Sequence, residues 1–159
     1  MSAVFPLDRF DRAILAMLQR DNTTPQRVIA EAVHLSAPAV QRRIRKLEER
    51  GVIRANVALL DPDAVGLPLT ILVEVRMASD CKVGAATFRR RVENEPAVQQ
   101  CYDITGEADY MLIVCVASMQ AYEALTDRLF DGDDNIQRFR TAVVLKRIKV
   151  GMAVPLDEA

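Results

Sequence analysis

Between Ser36 and Gly51 the chain reads SAPAVQRRIRKLEERG, and this stretch decides the fold of the first half. Val40, Ile44 and Leu47 recur at the spacing of one helical face, which predicts an apolar stripe packed against a core. Ser36 is a typical N-cap residue, and Gly51 is typical of a position just after a helix. The stretch is therefore predicted to be an amphipathic helix.

The other sides of this helix are polar and mainly cationic. At about 100° per residue, four residues point away from the apolar stripe: Pro38, Arg42, Arg45 and Glu49. Four more lie on the flanks: Ala39, Gln41, Arg43 and Lys46. A helix with one buried and one cationic face has the size and charge to enter the major groove of DNA.

Two shorter helices are predicted before it. Asp8 can cap the first helix, whose buried face carries Phe10, Ile14, Met17 and Leu18. A hydroxyl followed by proline, Thr24-Pro25, starts the second, whose buried side carries Val28, Ile29 and Ala32. His34 and Leu35 form the turn into the third helix. Residues 52–60 are predicted to form a strand, so residues 1–60 are predicted to be a winged helix-turn-helix.

The hydrophobic period changes from 3.6 to 2 after a linker at residues 61–68. A strand with an edge-tolerant pattern is predicted from Leu69 to Met77, and another at 98–105. The run 109–116 is almost continuously apolar, which predicts a central strand covered on both faces. A fourth strand alternates from Phe139 and could extend to Val150. Helices are predicted at 84–94 and after Ser118.

The order β-α-β-β-α-β predicts a ferredoxin-like α+β domain over residues 69–159. Two helices cover one face of such a sheet. The other face still carries Leu72, Ala142 and Val144. Apolar side chains on an open sheet face favour a second subunit as its cover. A homodimer is therefore expected.

Composition narrows the class of protein. Half of the residues are hydrophobic and 27% are charged, as in soluble globular proteins. No apolar run is long enough to span a bilayer, and the N-terminus does not resemble a signal peptide. Cys81, Cys101 and Cys115 are too far apart for a CxxC metal or redox motif and are expected to be reduced, Cys101 and Cys115 as buried thiols. A cytoplasmic location without membrane contact is expected.

Charge is distributed unevenly along the chain. Residues 1–60 hold ten basic and six acidic side chains, a net of +4, whereas the remaining 99 residues have a net of −5. The basic half is expected to meet a polyanion, and the acidic half is not.

Three motifs in this order resemble the Lrp/AsnC family of feast-or-famine transcription regulators, over nearly the whole chain. The first is Leu7-Asp8-x-x-Asp11-x-x-Ile14-Leu15. The second is Leu35-Ser36 with Val40-x-x-Arg43-Ile44-x-x-Leu47-Glu48-x-x-Gly51-Val52-Ile53. The third is Cys101-Tyr102-x-x-Thr105-Gly106-x-x-Asp109-Tyr110. The resemblance implies a homodimer that assembles further, often to an octamer or an open helical assembly, and an amino acid effector that many members of the family bind in a cleft between dimers.

Double-stranded DNA is the expected partner of the N-terminal domain. By analogy with other helix-turn-helix proteins, the first two turns of the cationic helix reach base edges or the nearest phosphates, which assigns Ser36, Pro38, Ala39, Arg42 and Arg43. Later positions are better placed for phosphates, which assigns Lys46 and Arg54, with Arg45 also on the cationic face. Gln41 is either a phosphate donor or helix filler.

The turn Thr105-Gly106-Glu107-Ala108-Asp109 is the candidate effector site. It is either a tight hairpin alone or a hairpin that also binds an amino acid. Asp109 can accept from an ammonium group, and N–H groups near Gly106 can donate to a carboxylate. Candidate wall residues are Tyr102, Asp103 and Thr141.

An enzyme is not expected, because the chain has none of the HExxH, GxSxG, P-loop or GxGxxG motifs. The sirohaem decarboxylases share this architecture but use histidine, which the second half lacks. No cofactor and no metal are expected. The predicted function is a sequence-specific DNA-binding transcription regulator responsive to a small effector, with an architectural DNA-compacting protein as the alternative.

Overall fold

The computed structural model describes residues 5–78 and 82–156, without the side chains of residues 82 and 83. The chain divides into two compact units. The first comprises Met1–Ala58 together with Lys149–Ala159, and the second comprises Leu59–Ile148. The C-terminal residues were predicted to belong to the second domain, whereas those from Lys149 onward group with the first unit.

Three helices form the first unit: α1 at Arg9–Arg20, α2 at Gln26–Val33 and α3 at Ala37–Glu49. Their apolar faces meet in one core, because Ile14, Ile29 and Val40 are completely buried. Leu47 is buried as well and Ile44 packs against the core, as the predicted stripe on α3 requires.

The predictions for α2 need two corrections. Thr24 does not cap the helix, because its hydroxyl donates to the carbonyl of Asp21 at 2.7 Å and Pro25 occupies the N-cap position. The buried side consists of Ile29, Ala30 and Val33, and Val28 is 43% exposed. The helical face is therefore rotated from the predicted one.

The turn after α2 follows the prediction. His34 adopts the left-handed conformation at φ 55°, which ends the helix, and Leu35 packs on the core. The side chain of Ser36 then accepts from the backbone of Ala39 and caps α3. The turn between α2 and α3 thus combines two capped helix ends with one half-buried leucine.

Residues 52–60 contain no strand, which corrects the prediction for the wing. Val57, Leu59 and Leu60 are 64%, 77% and 69% exposed. A strand needs a neighbour for its backbone hydrogen bonds, and the described residues supply none here. In the C-terminal segment, the backbone of Val154 exchanges two hydrogen bonds with the side chain of Gln19, at 2.7 and 3.1 Å.

The second unit is a four-stranded antiparallel sheet with strand order β2-β3-β1-β4. The strands are β1 at Leu69–Met77, β2 at Val98–Asp103, β3 at Tyr110–Val116 and β4 at Ile136–Val143. The helices are α4 at Lys82–Glu93 and α5 at Met119–Leu129. The ferredoxin-like α+β prediction is confirmed. However, β1 is a central strand, and β4 stops well before Val150.

The two faces of the sheet differ in burial. Ile71, Val73 and Val75 of β1 are completely buried against the helices, together with Phe88 and Leu125. The opposite face, here called the open face, carries half-buried or exposed side chains apart from the buried Cys115, which pairs with Thr70, and three further rows cross the strands. These rows are Gln100, Ile113, Leu72 and Ala142; then Tyr102, Met111, Glu74 and Arg140; then Arg76 and Arg138. The central position predicted for β3 is confirmed, but no other described element of the second unit covers its open face.

Two smaller findings complete the fold. Cys115 is buried and Cys101 is exposed, both as free thiols, so the expectation of burial was wrong for Cys101. Cys81 lies outside the described residues. Across the described residues, every helix is too short or too polar to cross a membrane.

Candidate nucleic-acid interface and effector site

The polar side of α3 is accessible in the first unit. The capped first turn presents Ser36 and Pro38, while Ala39 is half-buried. Four further residues on the helix are exposed: Gln41, Arg42, Arg45 and Lys46. Arg54, just beyond the helix, is exposed as well. Eight of the nine predicted DNA-contacting residues therefore keep accessible surface and lack a strong competing ion pair.

Arg43 is the exception, because its guanidinium is held by two carboxylates of α1. Its Nη1 donates to Asp8 at 2.8 Å and to Asp11 at 2.7 Å, and its side chain is 29% exposed. The hydrogen bond to Asp11 raises the pKa of Arg43, with Asp8 adding to the effect. The guanidinium also lies 5.3 Å from the centre of the Phe10 ring. The direction of this side chain is set by α1.

The two carboxylates belong to the start of α1. Asp8 is the N-cap residue, and its side chain accepts from the backbone of Asp11 at 2.8 Å. The Asp11 side chain accepts in turn from the backbone of Asp8, which forms a capping box. The cap at Asp8 was predicted from the sequence but the box was not, although the Asp-x-x-Asp spacing is a signal for it. Arg43 joins this box to α3.

A cavity of about 430 Å³ borders the same side of α3. Its walls are formed by Phe5, Pro6, Asp8, Asp11, Arg42, Arg43, Lys46 and Leu47. The ring of Phe5 lies 5.5 Å from Lys46 Nζ and 5.8 Å from the Arg50 guanidinium. Because both carboxylates in the wall already accept from Arg43, the unpaired charges that face this cavity are cationic.

The predicted effector turn lies between β2 and β3 of the second unit. Ile104 N donates to Asp109 O at 2.9 Å and closes the turn. Gly106 has φ +124°, a backbone conformation that residues with a Cβ rarely adopt. Within the described chain, the backbone N–H groups of Gly106, Glu107 and Ala108 donate to no backbone acceptor. The turn therefore presents free donors, as a carboxylate site requires.

Asp109 ties this turn to β1. Its backbone N–H donates to Val75 O at 2.9 Å, and its side chain accepts from Met77 N at 2.7 Å. One carboxylate oxygen is thus used inside the chain. The prediction that Asp109 accepts from an effector ammonium can only rest on its remaining lone pairs.

The three predicted wall residues do not share one face of the sheet. Tyr102 is half exposed on the open face. Asp103 points to the helix side, where Arg89 Nη2 donates to it at 2.7 Å. Thr141 also lies on the helix side and shares a 2.6 Å hydrogen bond with the Tyr122 hydroxyl. The alternation of side chains along β2 and β4 separates them.

A narrow cleft on the open face contains residues that the sequence analysis missed. It is lined by Glu74, Arg76, Glu107, Ala108, Arg138 and Arg140. Glu107 and Ala108 come from the predicted turn. Arg138 and Arg140 lie two residues apart on β4, and Arg76 lies on β1. Only the pairing of β1 with β4 brings the three arginines together. Within the described part of the chain, no group of His, Cys, Asp and Glu residues is arranged to hold a metal ion.

Two family profiles match the chain in the order of its two units. Residues 7–54 match a winged helix-turn-helix DNA-binding domain. Residues 70–154 match the Lrp/AsnC ligand binding domain. The chain belongs to the Lrp/AsnC family of transcription regulators. Both matched domains are those of regulators, not of enzymes.

Relatives and solved structures agree with this assignment. The glutamate uptake regulatory protein of Zymomonas mobilis is 41% identical over 123 residues, which cover 77% of this chain and 75% of that protein. The crystal structure of an AsnC family regulator from Agrobacterium tumefaciens is similar at a TM-score of 0.88 and 38% identity, covering 94% and 97% of the two chains. A Neisseria meningitidis regulator in complex with L-methionine has a TM-score of 0.86 and 31% identity, covering 96% and 98%.

Proposed function

We propose that this regulator binds specific operator sequences in double-stranded DNA and that a small amino acid effector changes this binding. The observation that carries the proposal is the exposed cationic face of α3, which follows a capped turn on a packed three-helix unit. A second helix of a helix-turn-helix that presents cations in this way suits the major groove. Phosphate contacts supply affinity, and side chains at base edges supply specificity.

The proposed contacts follow the position of each residue on α3. Ser36, Pro38, Ala39 and Arg42 are proposed for the base edges or nearest phosphates. A second group is proposed for phosphates: Gln41, Arg45, Lys46 and Arg54. Arg43 is assigned to positioning α3 against α1, because Asp8 and Asp11 already accept from its guanidinium. This departs from the sequence-based expectation that Arg43 reads DNA.

The effector is proposed to bind at the turn that contains Gly106. The free N–H groups of this turn suit the α-carboxylate of an amino acid. The Neisseria relative crystallised with L-methionine supports an amino acid as the class of ligand. The name of the Zymomonas relative also associates that protein with an amino acid, glutamate.

A second copy of the chain is proposed to cover the apolar row of the open face and to leave its charged end accessible, which gives a homodimer. Leu72, Ile113 and Ala142 lie side by side there without cover from the described chain. Dimers are proposed to assemble further, to an octamer, as the family resemblance implies. An effector bound between dimers would bias their relative orientation and so change which recognition helices span neighbouring half-sites. The protein would act in the cytoplasm, on the DNA.

The test is selection of operator sequences from random double-stranded DNA with the full chain, followed by titration of the selected site. Arg42→Ala is expected to weaken operator binding and to reduce the slope of log K against log salt by about one. Arg20→Ala removes the same charge from the end of α1 and serves as the matched control. If no sequence is enriched, or if both variants bind like the wild type, the proposal fails.

A further inference from the structure

Three arginines are crowded at one end of the open face. Arg76 of β1 is directly opposite Arg138 of β4, and Arg140 is directly opposite Glu74. Like charges that face each other across two strands are destabilising unless an anion lies between them. The cleft lined by these residues contains three guanidinium groups and the carboxylates of Glu74 and Glu107. The lining therefore has a net charge of +1, which one more carboxylate would neutralise.

Glu107 neutralises this cluster only loosely. Its carboxylate is 3.9 Å from Arg138 Nη2 and 3.9 Å from Arg140 Nη1, which is beyond hydrogen-bond distance. Arg76 instead donates to the backbone carbonyl of Glu107 at 2.9 Å. Among the residues that the structure describes, no acceptor receives a hydrogen bond from the side chain of Arg138 or Arg140. Both keep their forked donors, the geometry that binds a carboxylate through two parallel hydrogen bonds.

With the side chains in these positions, the cleft is too small to hold an amino acid. Its free volume is about 10 Å³, which is enough for a single water molecule. The side chain of Glu107 is 81% exposed, so it can swing into solvent without losing packing. Glu107 is thus positioned as an internal competitor for any anion that approaches Arg138 and Arg140.

We propose that Arg138 and Arg140 bind the side-chain carboxylate of a dicarboxylic amino acid, aspartate or glutamate, which displaces Glu107. This rests on the proposed function, since it names the chemical class of the effector at the Gly106 turn. The N–H groups of the Gly106 turn bind the α-carboxylate of the ligand. Its side-chain carboxylate neutralises the remaining positive charge of the arginines. A neutral apolar side chain does not suit this cleft, because Ala108 is its one apolar lining residue and the guanidiniums would lose water without gaining a partner.

The experiment is calorimetric titration and thermal shift of the full chain with L-glutamate, L-aspartate, L-glutamine, L-asparagine, L-leucine and L-methionine. Glutarate and inorganic phosphate test whether an anion without the ammonium is sufficient. At least one dicarboxylic amino acid is expected to bind about tenfold or more tightly than its amide, because the amide lacks the charge-assisted hydrogen bonds. Glutarate and phosphate are expected to bind more weakly than that amino acid.

Variants separate the arginine site from a general charge effect. Arg140→Ala is expected to weaken binding of the dicarboxylic amino acid about tenfold or more, with the melting temperature of the free protein unchanged. Arg90→Ala removes the same charge from an exposed position on α4 and is expected to leave binding unchanged. Glu107→Gln removes the competing carboxylate and is expected to tighten binding several-fold.

The outcomes distinguish this inference from the proposed function. If leucine or methionine binds and the dicarboxylic amino acids do not, the acidic class is wrong and the amino acid response stands. If no amino acid in the panel binds, the amino acid response itself fails. Equal affinity of an acid and its amide, unchanged binding by Arg140→Ala, weaker binding by Glu107→Gln, or equally tight binding of glutarate or phosphate would each contradict the assignment.

Discussion

Arg43 on α3 donates to the carboxylate of Asp11 on α1 at 2.7 Å, and the side chain of Asp11 is only 11% exposed. The helix α3 is therefore attached to α1 by an ion pair that is largely shielded from water. The same guanidinium also reaches Asp8, the N-cap of α1. This cationic side chain of α3 therefore stabilises the packing of α3 against α1.

The first prediction compares Arg43 with its neighbour Arg42. Arg43→Ala leaves Asp11 shielded from water without its partner, so the free energy of unfolding of the first unit is expected to fall by about 1–3 kcal/mol. Arg42→Ala removes an exposed side chain and is expected to change it by less than about 0.5 kcal/mol. Urea unfolding followed by circular dichroism measures both. Equal losses in the two variants would show that the ion pair does not hold α3.

The second prediction concerns stability in acid. Burial alone would raise the pKa of Asp8, but hydrogen bonds from the backbone of Asp11 and from Arg43 outweigh it and hold the pKa below its ordinary value. The unfolded chain then takes up this proton at a higher pH than the folded one. The stabilisation is present above about pH 4 and is lost as the pH falls through the folded pKa.

Urea midpoints at pH 7, 5, 4 and 3 check this expectation. Asp8→Asn should lower the midpoint at pH 7 and flatten its fall between pH 4 and pH 3. Glu49→Gln removes an exposed carboxylate of α3 and is the control, with the steep fall retained. If the urea midpoint of Asp8→Asn falls between pH 4 and pH 3 as steeply as that of the wild type, Asp8 does not contribute to the loss of stability in acid.

The third prediction concerns the glycine of the turn that is proposed to bind the effector. A Cβ at Gly106 would meet nothing within 4 Å, so a substitution acts through the backbone conformation at φ +124° and not through a clash. Gly106→Asp is expected to abolish the ligand response in calorimetry and to leave operator binding intact. Gly151→Asp adds the same charge at a glycine with open space and no positive φ. Ligand binding that survives Gly106→Asp would exclude this turn as the site.

The fourth prediction concerns the open face of the sheet. Leu72→Asp places a charge in the apolar row between Ile113 and Ala142, so the proposed dimer is expected to dissociate at least about tenfold more readily. Met119→Asp makes the same type of change at an exposed methionine on the first turn of α5 and is the control. Sedimentation equilibrium measures both. A Leu72→Asp protein that associates like the wild type would place the subunit interface elsewhere.

Local rules explain what could be predicted from the residues in order. Helix α3 could be predicted from its apolar stripe (Val40, Ile44 and Leu47) and its cap at Ser36, because both signals depend on residues close together in the sequence. The strand β1 was predicted with its observed bounds from strict alternation. Its central position was not, because alternation along one strand says nothing about which strands lie beside it.

Tertiary structure decided the features that depend on neighbours distant in sequence. Residues 52–60 have strand-like side chains but find no partner in the described chain. Arg43 and Arg42 are adjacent cations in the sequence, and only the packing of α3 against α1 places one beside Asp11. In the same way, only the pairing of β1 with β4 sets Arg76 opposite Arg138 and creates the charged cleft.

The sequence by itself determined the two classes of domain and the cationic helix α3, because periodicity, caps and turn residues act over one or two helical turns or a single strand. The tertiary structure alone decided which charges are available to a ligand. Arg43 faces a carboxylate from another helix, which neutralises its charge. Arg138 faces another arginine, so its charge is not neutralised by its strand neighbour. Sequence position does not distinguish the two, because both depend on packing between distant segments.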